Sequence, residues 1–175
     1  MKHTKNILKS LLITVMALSL LAVSCKKDEG GTKNPVNPTP ITITAENITK
    51  GFTALGATKS LGGVVFDFSK FTASKNAIEL TAASGKASDN NELTTALGNL
   101  GITIAGATVK SEVTGNVNIE SQDNITVRVT ITPSGNNTLD LKVSDSYTVN
   151  NAKAVEVSLT LKTATGKNWS AEQKG

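Results

Sequence analysis

Apolar side chains occupy every second position through Ile125, Val127, Val129 and Ile131, with Thr126, Arg128, Thr130 and Thr132 between them. A period of two puts all four apolar groups on one face of a β-strand and leaves the other face wet. The pattern returns in Leu139, Leu141 and Val143, which alternate with Asp140 and Lys142. It appears again in Val155, Val157, Leu159 and Leu161, between Glu156, Ser158, Thr160 and Lys162. Pro133-Ser134-Gly135-Asn136-Asn137 is a turn by composition, and Tyr147 and Val149 lead into a second turn at Asn150-Asn151. These runs predict an antiparallel meander with one solvated face.

The first half of the domain is less regular. Strands are predicted at Ile41–Thr44, Gly63–Phe68, Ala77–Thr81 and Ile102–Val109, with a weaker one at Val113–Ile119. One helix interrupts them: Asp89 can cap, Glu92 follows three residues later, and Leu93, Ala96, Leu97 and Leu100 keep helical spacing before Gly101. From Glu46 to Leu61 the pattern is ambiguous, since Ile48, Phe52 and Leu55 suit a helix while Gly51 and Gly56 oppose one. The fold class that follows is mainly β, an antiparallel β-sandwich or small barrel with one short helix.

Ahead of this domain the pattern changes character. Met1 to Ser10 carries Lys2, Lys5 and Lys9 with no acid, and Leu11 to Val23 is a run of 13 apolar or neutral residues. As a helix that run reaches only about 20 Å, short of a ~30 Å hydrocarbon core, so it reads as the apolar region of a signal peptide. Small residues then precede a lone cysteine in Leu21-Ala22-Val23-Ser24-Cys25.

That arrangement resembles the lipobox of bacterial lipoproteins, although Ala22 stands where the family prefers Leu. The resemblance implies cleavage before Cys25, lipid on its thiol, and anchoring to a membrane by chains that each contribute about 0.8 kcal/mol per buried methylene. Lys26-Lys27-Asp28-Glu29 resembles the surface-export run of Bacteroidota lipoproteins, which implies the outer membrane and favours the cell surface over the periplasmic face. An ordinary signal peptide that leaves an incidental cysteine is the competing reading. The expected organisation is a signal peptide over 1–24, a lipidated cysteine with a flexible Pro-rich tether over 25–40, and a single β-rich domain over 41–175.

Charge and chemistry change with the cut. Three of the 18 basic residues lie in the removable segment, so 15 remain against 14 acidic ones, and the net charge of the mature chain is +1. The basic footprint expected of a nucleic-acid binder is therefore absent. The single histidine, His3, leaves with the signal, and the single cysteine is consumed by lipid. Imidazole- and thiol-based catalysis and the usual zinc, copper and haem ligand sets go with them.

Neither Gly85-Lys86 nor Gly166-Lys167 continues as a phosphate loop. Asp140 with Glu156, or Asp67 with Glu79, could form a carboxylate pair, yet all four sit at outward-facing polar positions. Asp89–Glu92 and Gln122–Asn124 gather oxygen ligands without EF-hand spacing. No cofactor or metal is expected, and ligand-binding residues other than the lipid-bearing Cys25 are not assigned.

The function expected is that of a non-catalytic, membrane-anchored lipoprotein whose β domain binds another protein or a cell-envelope polysaccharide. A barrel that carries a small apolar ligand and a fimbrial or surface-layer subunit are the alternatives.

Overall fold

The computed structural model describes residues 38–72, 76–142, 147–151 and 153–174. The signal segment, Cys25 and all of the tether before residue 38 lie outside the described residues. So does Val143, the last apolar position of the run that begins at Leu139.

The clearest pattern in the sequence forms the centre of the larger sheet. β7 (Asn124–Pro133) and β9 (Val155–Lys162) pair antiparallel and set apolar against apolar: Ile125 faces Leu161, Val127 faces Leu159, Val129 faces Val157 and Ile131 faces Val155. All eight are buried to within 1% of complete exclusion. Each contributes roughly 1.5–3 kcal/mol over its exposed state. β6 (Ala107–Thr114) joins the other side of β7 antiparallel, and β4 (Ala77–Thr81) joins β9 in parallel, giving the order β4-β9-β7-β6.

A second four-stranded sheet is built from short pieces. β2 (Lys59–Leu61) and β3 (Val64–Phe66) form a hairpin over Gly62-Gly63, whose φ angles of 54° and 87° supply the left-handed turn that a two-residue loop needs. β5 (Ser84–Gly85) pairs with β3, and β10 (Gln173–Lys174) pairs with β5. Ala82 donates to Lys162 and Ala83 donates to Val65, so the chain passes here from the larger sheet to the smaller. Both sheets feed one core. Trp169 is fully buried with its ring 5.9 Å from Phe66, and Phe52 stacks on Phe71 at 4.2 Å.

The architecture is mainly β and sandwich-like, and its sheets are open rather than closed into a barrel. Among the described residues of the domain there are two helices where one was expected. α1 (Ala45–Thr53) occupies the ambiguous stretch, capped reciprocally by Thr44 and Asn47. Gly51 belongs in this helix because of space: a Cβ there would lie 2.7 Å from Ile104 Cγ1 and 3.0 Å from the Thr103 carbonyl oxygen.

α2 (Asn90–Gly98) is the helix that Asp89 caps, its carboxylate accepting from the Glu92 amide at 2.7 Å. Glu92 turns to the Ser88 hydroxyl instead of closing a capping box. At the other end Ser111 of β6 donates to the Gly98 carbonyl and accepts from the Leu100 amide, which ties α2 to the larger sheet.

Three expectations are corrected. The meander breaks after β7, because β8 (Thr138–Asp140) pairs in parallel with β1 (Thr42–Thr44) and not with β7. Both sides of β7 are already taken by eight-residue partners, so no edge is left for β8. Asn137 steers the chain away, accepting from the Ile41 amide at 2.7 Å and donating to the Gly106 carbonyl at 2.9 Å.

Second, the strands placed at Ile102–Val109 and Val113–Ile119 are one strand, β6, offset between them. A turn from the Ile104 carbonyl to the Ala107 amide, with Gly106 at φ 79°, ends the first run, and Ile102 and Ile104 become buried loop anchors. Third, Tyr147 and Val149 lie in irregular chain, although Tyr147 is buried and Val149 packs on the core.

Candidate functional site

The wet face of the larger sheet carries a polar concavity built from several elements. Strand alternation and register place Arg128 of β7 beside Ser158 of β9, Thr126 of β7 beside Thr114 of β6, and Glu156 of β9 beside Thr130. Across this face runs the segment 147–151. Asn76, at the entrance to β4, holds it with both halves of its amide: Oδ1 accepts from the Thr148 amide at 2.7 Å and Nδ2 donates to the Thr148 carbonyl at 2.5 Å. Asn150 donates to the Glu156 carboxylate at 3.1 Å.

The result is a groove of about 440 Å³ lined by Asn76, Thr114, Thr126, Arg128, Thr148, Asn150, Glu156 and Ser158. Hydroxyls and amides dominate it, with a single guanidinium and a single carboxylate. Arg128, the only arginine of the chain, makes no ion pair among the described residues, since its cross-strand neighbour Glu112 contacts Lys110 instead. A fork of five donors thus stands over a polar surface with no carboxylate of the described residues engaged to it.

The carboxylates singled out from sequence are not brought together. Asp140 lies on β8 in the small two-stranded sheet, whereas Glu156 lies in the groove of the larger one. Asp67 accepts from the hydroxyl and amide of Ser69, which hold its carboxyl below the usual range, and Glu79 pairs with Lys162 at 2.7 Å. Glu46 is also pulled down, by Lys50. Both shifts favour the charged form, the wrong direction for a general acid.

The oxygen clusters are similarly committed. Asp89 and Glu92 serve the start of α2, Asn90 accepts from the Ile119 amide, and Gln122 bridges Asn118 and Asn124. No group of three or more His, Cys, Asp or Glu with metal-site spacing occurs among the described residues. Cys25 lies outside them. No helix among the described residues is long and apolar enough to cross a membrane.

The groove was missed in the sequence because Asn76 and Thr148 are 72 positions apart and neither belongs to a motif. The available signal was Arg128, the one long cation on the outward face of an otherwise Thr-rich strand. Comparison with known protein families, characterised proteins and solved structures finds nothing that matches the chain.

Proposed function

We propose that this is an outer-membrane lipoprotein, anchored through lipid on Cys25 and displayed at the cell surface, whose β domain binds a polar partner and catalyses no reaction. The anchor rests on the apolar run that ends at Leu21-Ala22-Val23-Ser24-Cys25. The binding half rests on one observation: Arg128 stands in a hydroxyl- and amide-lined groove and makes no ion pair among the described residues.

Such a lining suits cell-envelope polysaccharide that carries carboxylates. The guanidinium takes the carboxylate and the Thr, Ser and Asn side chains exchange hydrogen bonds with sugar hydroxyls. The near-neutral mature chain argues against nucleic acid as the partner. The interior, filled by Phe66, Phe68, Trp169 and the aliphatic rows of β7 and β9, supports a surface site over a carrier cavity.

The test is retention of the protein on immobilised acidic envelope polysaccharide. Binding is expected to weaken at least tenfold in Arg128→Gln and less in Ser158→Ala, with no release of reducing ends. Retention unaffected by Arg128→Gln overturns the groove as the site. Cleavage of the polysaccharide that is abolished in Glu156→Gln overturns the non-catalytic reading.

A further inference from the structure

β6 is an edge of the larger sheet, paired with β7 on one side only. From Thr108 to Thr114 its outward amides and carbonyls meet no backbone partner among the described residues. Such a row pairs readily with another strand, and natural edges are commonly blunted by charged side chains, lysine above all. Here the lysine, Lys110, is matched by Glu112 two positions later on the same exposed face, 3.6 Å away, so the edge carries no net charge to repel a strand of the same sequence.

The order of residues along this edge is symmetric about Ser111. Reading outward in both directions gives Lys110 and Glu112, then Val109 and Val113, then Thr108 and Thr114. When two such strands lie antiparallel with Ser111 opposite Ser111, valine meets valine on the core side and threonine meets threonine on the wet side. Each Lys110 then meets the Glu112 of the other copy. Register is set by side-chain matching, and here only one antiparallel register satisfies both faces. Val109 and Val113 are also only partly buried within the single chain, so a second strand would cover them further.

We propose that the β6 edge is a self-recognition surface: two copies of the chain join through β6 about a two-fold axis at Ser111, making one continuous eight-stranded sheet. This is an isologous contact that closes on itself, so it yields a dimer and not a fibre. The edge borders the Arg128 groove at Thr114, but dimer formation does not depend on polysaccharide binding, and cross-linking is read without any polysaccharide.

Register-specific cross-linking of the full chain in cells tests this, with wild type, whose single cysteine is Cys25, as background. Thr108 and Thr114 are exposed, so cysteine there leaves the core untouched. Co-expressed Thr108→Cys and Thr114→Cys chains are expected to give a disulfide dimer on mild oxidation. Either variant alone gives only background, because Thr108 sits about 20 Å from its own copy at ~3.4 Å per residue.

Lys110→Glu, which places like charges opposite each other twice, should lower the cross-linked fraction at least tenfold. Lys110→Glu/Glu112→Lys should restore it, a rescue that misfolding would not produce. Background cross-linking in the mixture, equal cross-linking by each single variant, or failure of the double reversal to rescue overturns the proposal.

Discussion

Gly51→Ala sets two opposing effects against each other at one helix position. In the interior of α1, alanine is favoured over glycine by about 1 kcal/mol through reduced backbone entropy. The added Cβ, however, would sit 2.7 Å from Ile104 Cγ1 and 3.0 Å from the Thr103 carbonyl oxygen. Ile104 is 4% exposed and cannot swing into solvent, and the second obstacle is backbone. Overpacking of this kind costs roughly 1–3 kcal/mol; less the gain of about 1 kcal/mol, Gly51→Ala should destabilise by up to about 2 kcal/mol.

Urea unfolding followed by Trp169 fluorescence reads the effect, since this single tryptophan is fully buried when folded. In an Ile104→Ala background the nearer obstacle is gone, and the same substitution should become neutral or mildly stabilising. A higher unfolding midpoint for Gly51→Ala in the otherwise native chain would refute the close approach of α1 to the Ile104 loop.

Other outcomes follow from the same physics. Leu159→Ala, which opens a cavity at the centre of β9, should cost about 2–5 kcal/mol in the same unfolding assay. Asn76→Ala removes both bonds to Thr148, so hydrogen exchange at the Thr148 amide should quicken at least tenfold while the unfolding midpoint moves little.

Tyr147 is buried with no partner for its hydroxyl among the described residues, and burial raises its pKa. Its neutral form therefore stabilises the fold below the unfolded value near 10, and that contribution is lost as pH rises through the higher folded value. Tyr147→Phe should abolish this alkaline loss in a pH series of thermal melts. Asp67, held low by Ser69, behaves in the opposite sense: its contribution is present above about pH 4 and fades as pH falls, so Asp67→Asn should flatten the acid limb of the same series.

What the sequence revealed and what it concealed divide along physical lines. β7, β9 and the Asp89 cap of α2 were readable because period-two burial and capping are local properties of consecutive residues. The partner of β8 was not, since it depends on which edges of β7 remain free and on Asn137 reaching Gly106 and Ile41 across the fold. Ile102 and Ile104 alternate as a strand would, yet they serve as anchors under a loop. Gly51 argued against a helix by propensity and is tolerated there because the Ile104 loop leaves no room for a side chain.

The candidate groove shows the same limit. Alternation predicted that Arg128 and Glu156 face solvent, but the wall that turns an open sheet face into a concavity is the segment fixed by Asn76. The carboxylate pairs considered from sequence failed for the converse reason, because strand alternation says which way a side chain points and not which sheet its strand joins.

The proposed lipid on Cys25 is what would hold the groove at a membrane. Growth of cells expressing the full chain with a clickable palmitate analogue, followed by immunoprecipitation, should label the wild-type protein and leave Cys25→Ala unlabelled and released from the membrane fraction. Equal label in both chains, or no label in wild type, would contradict it.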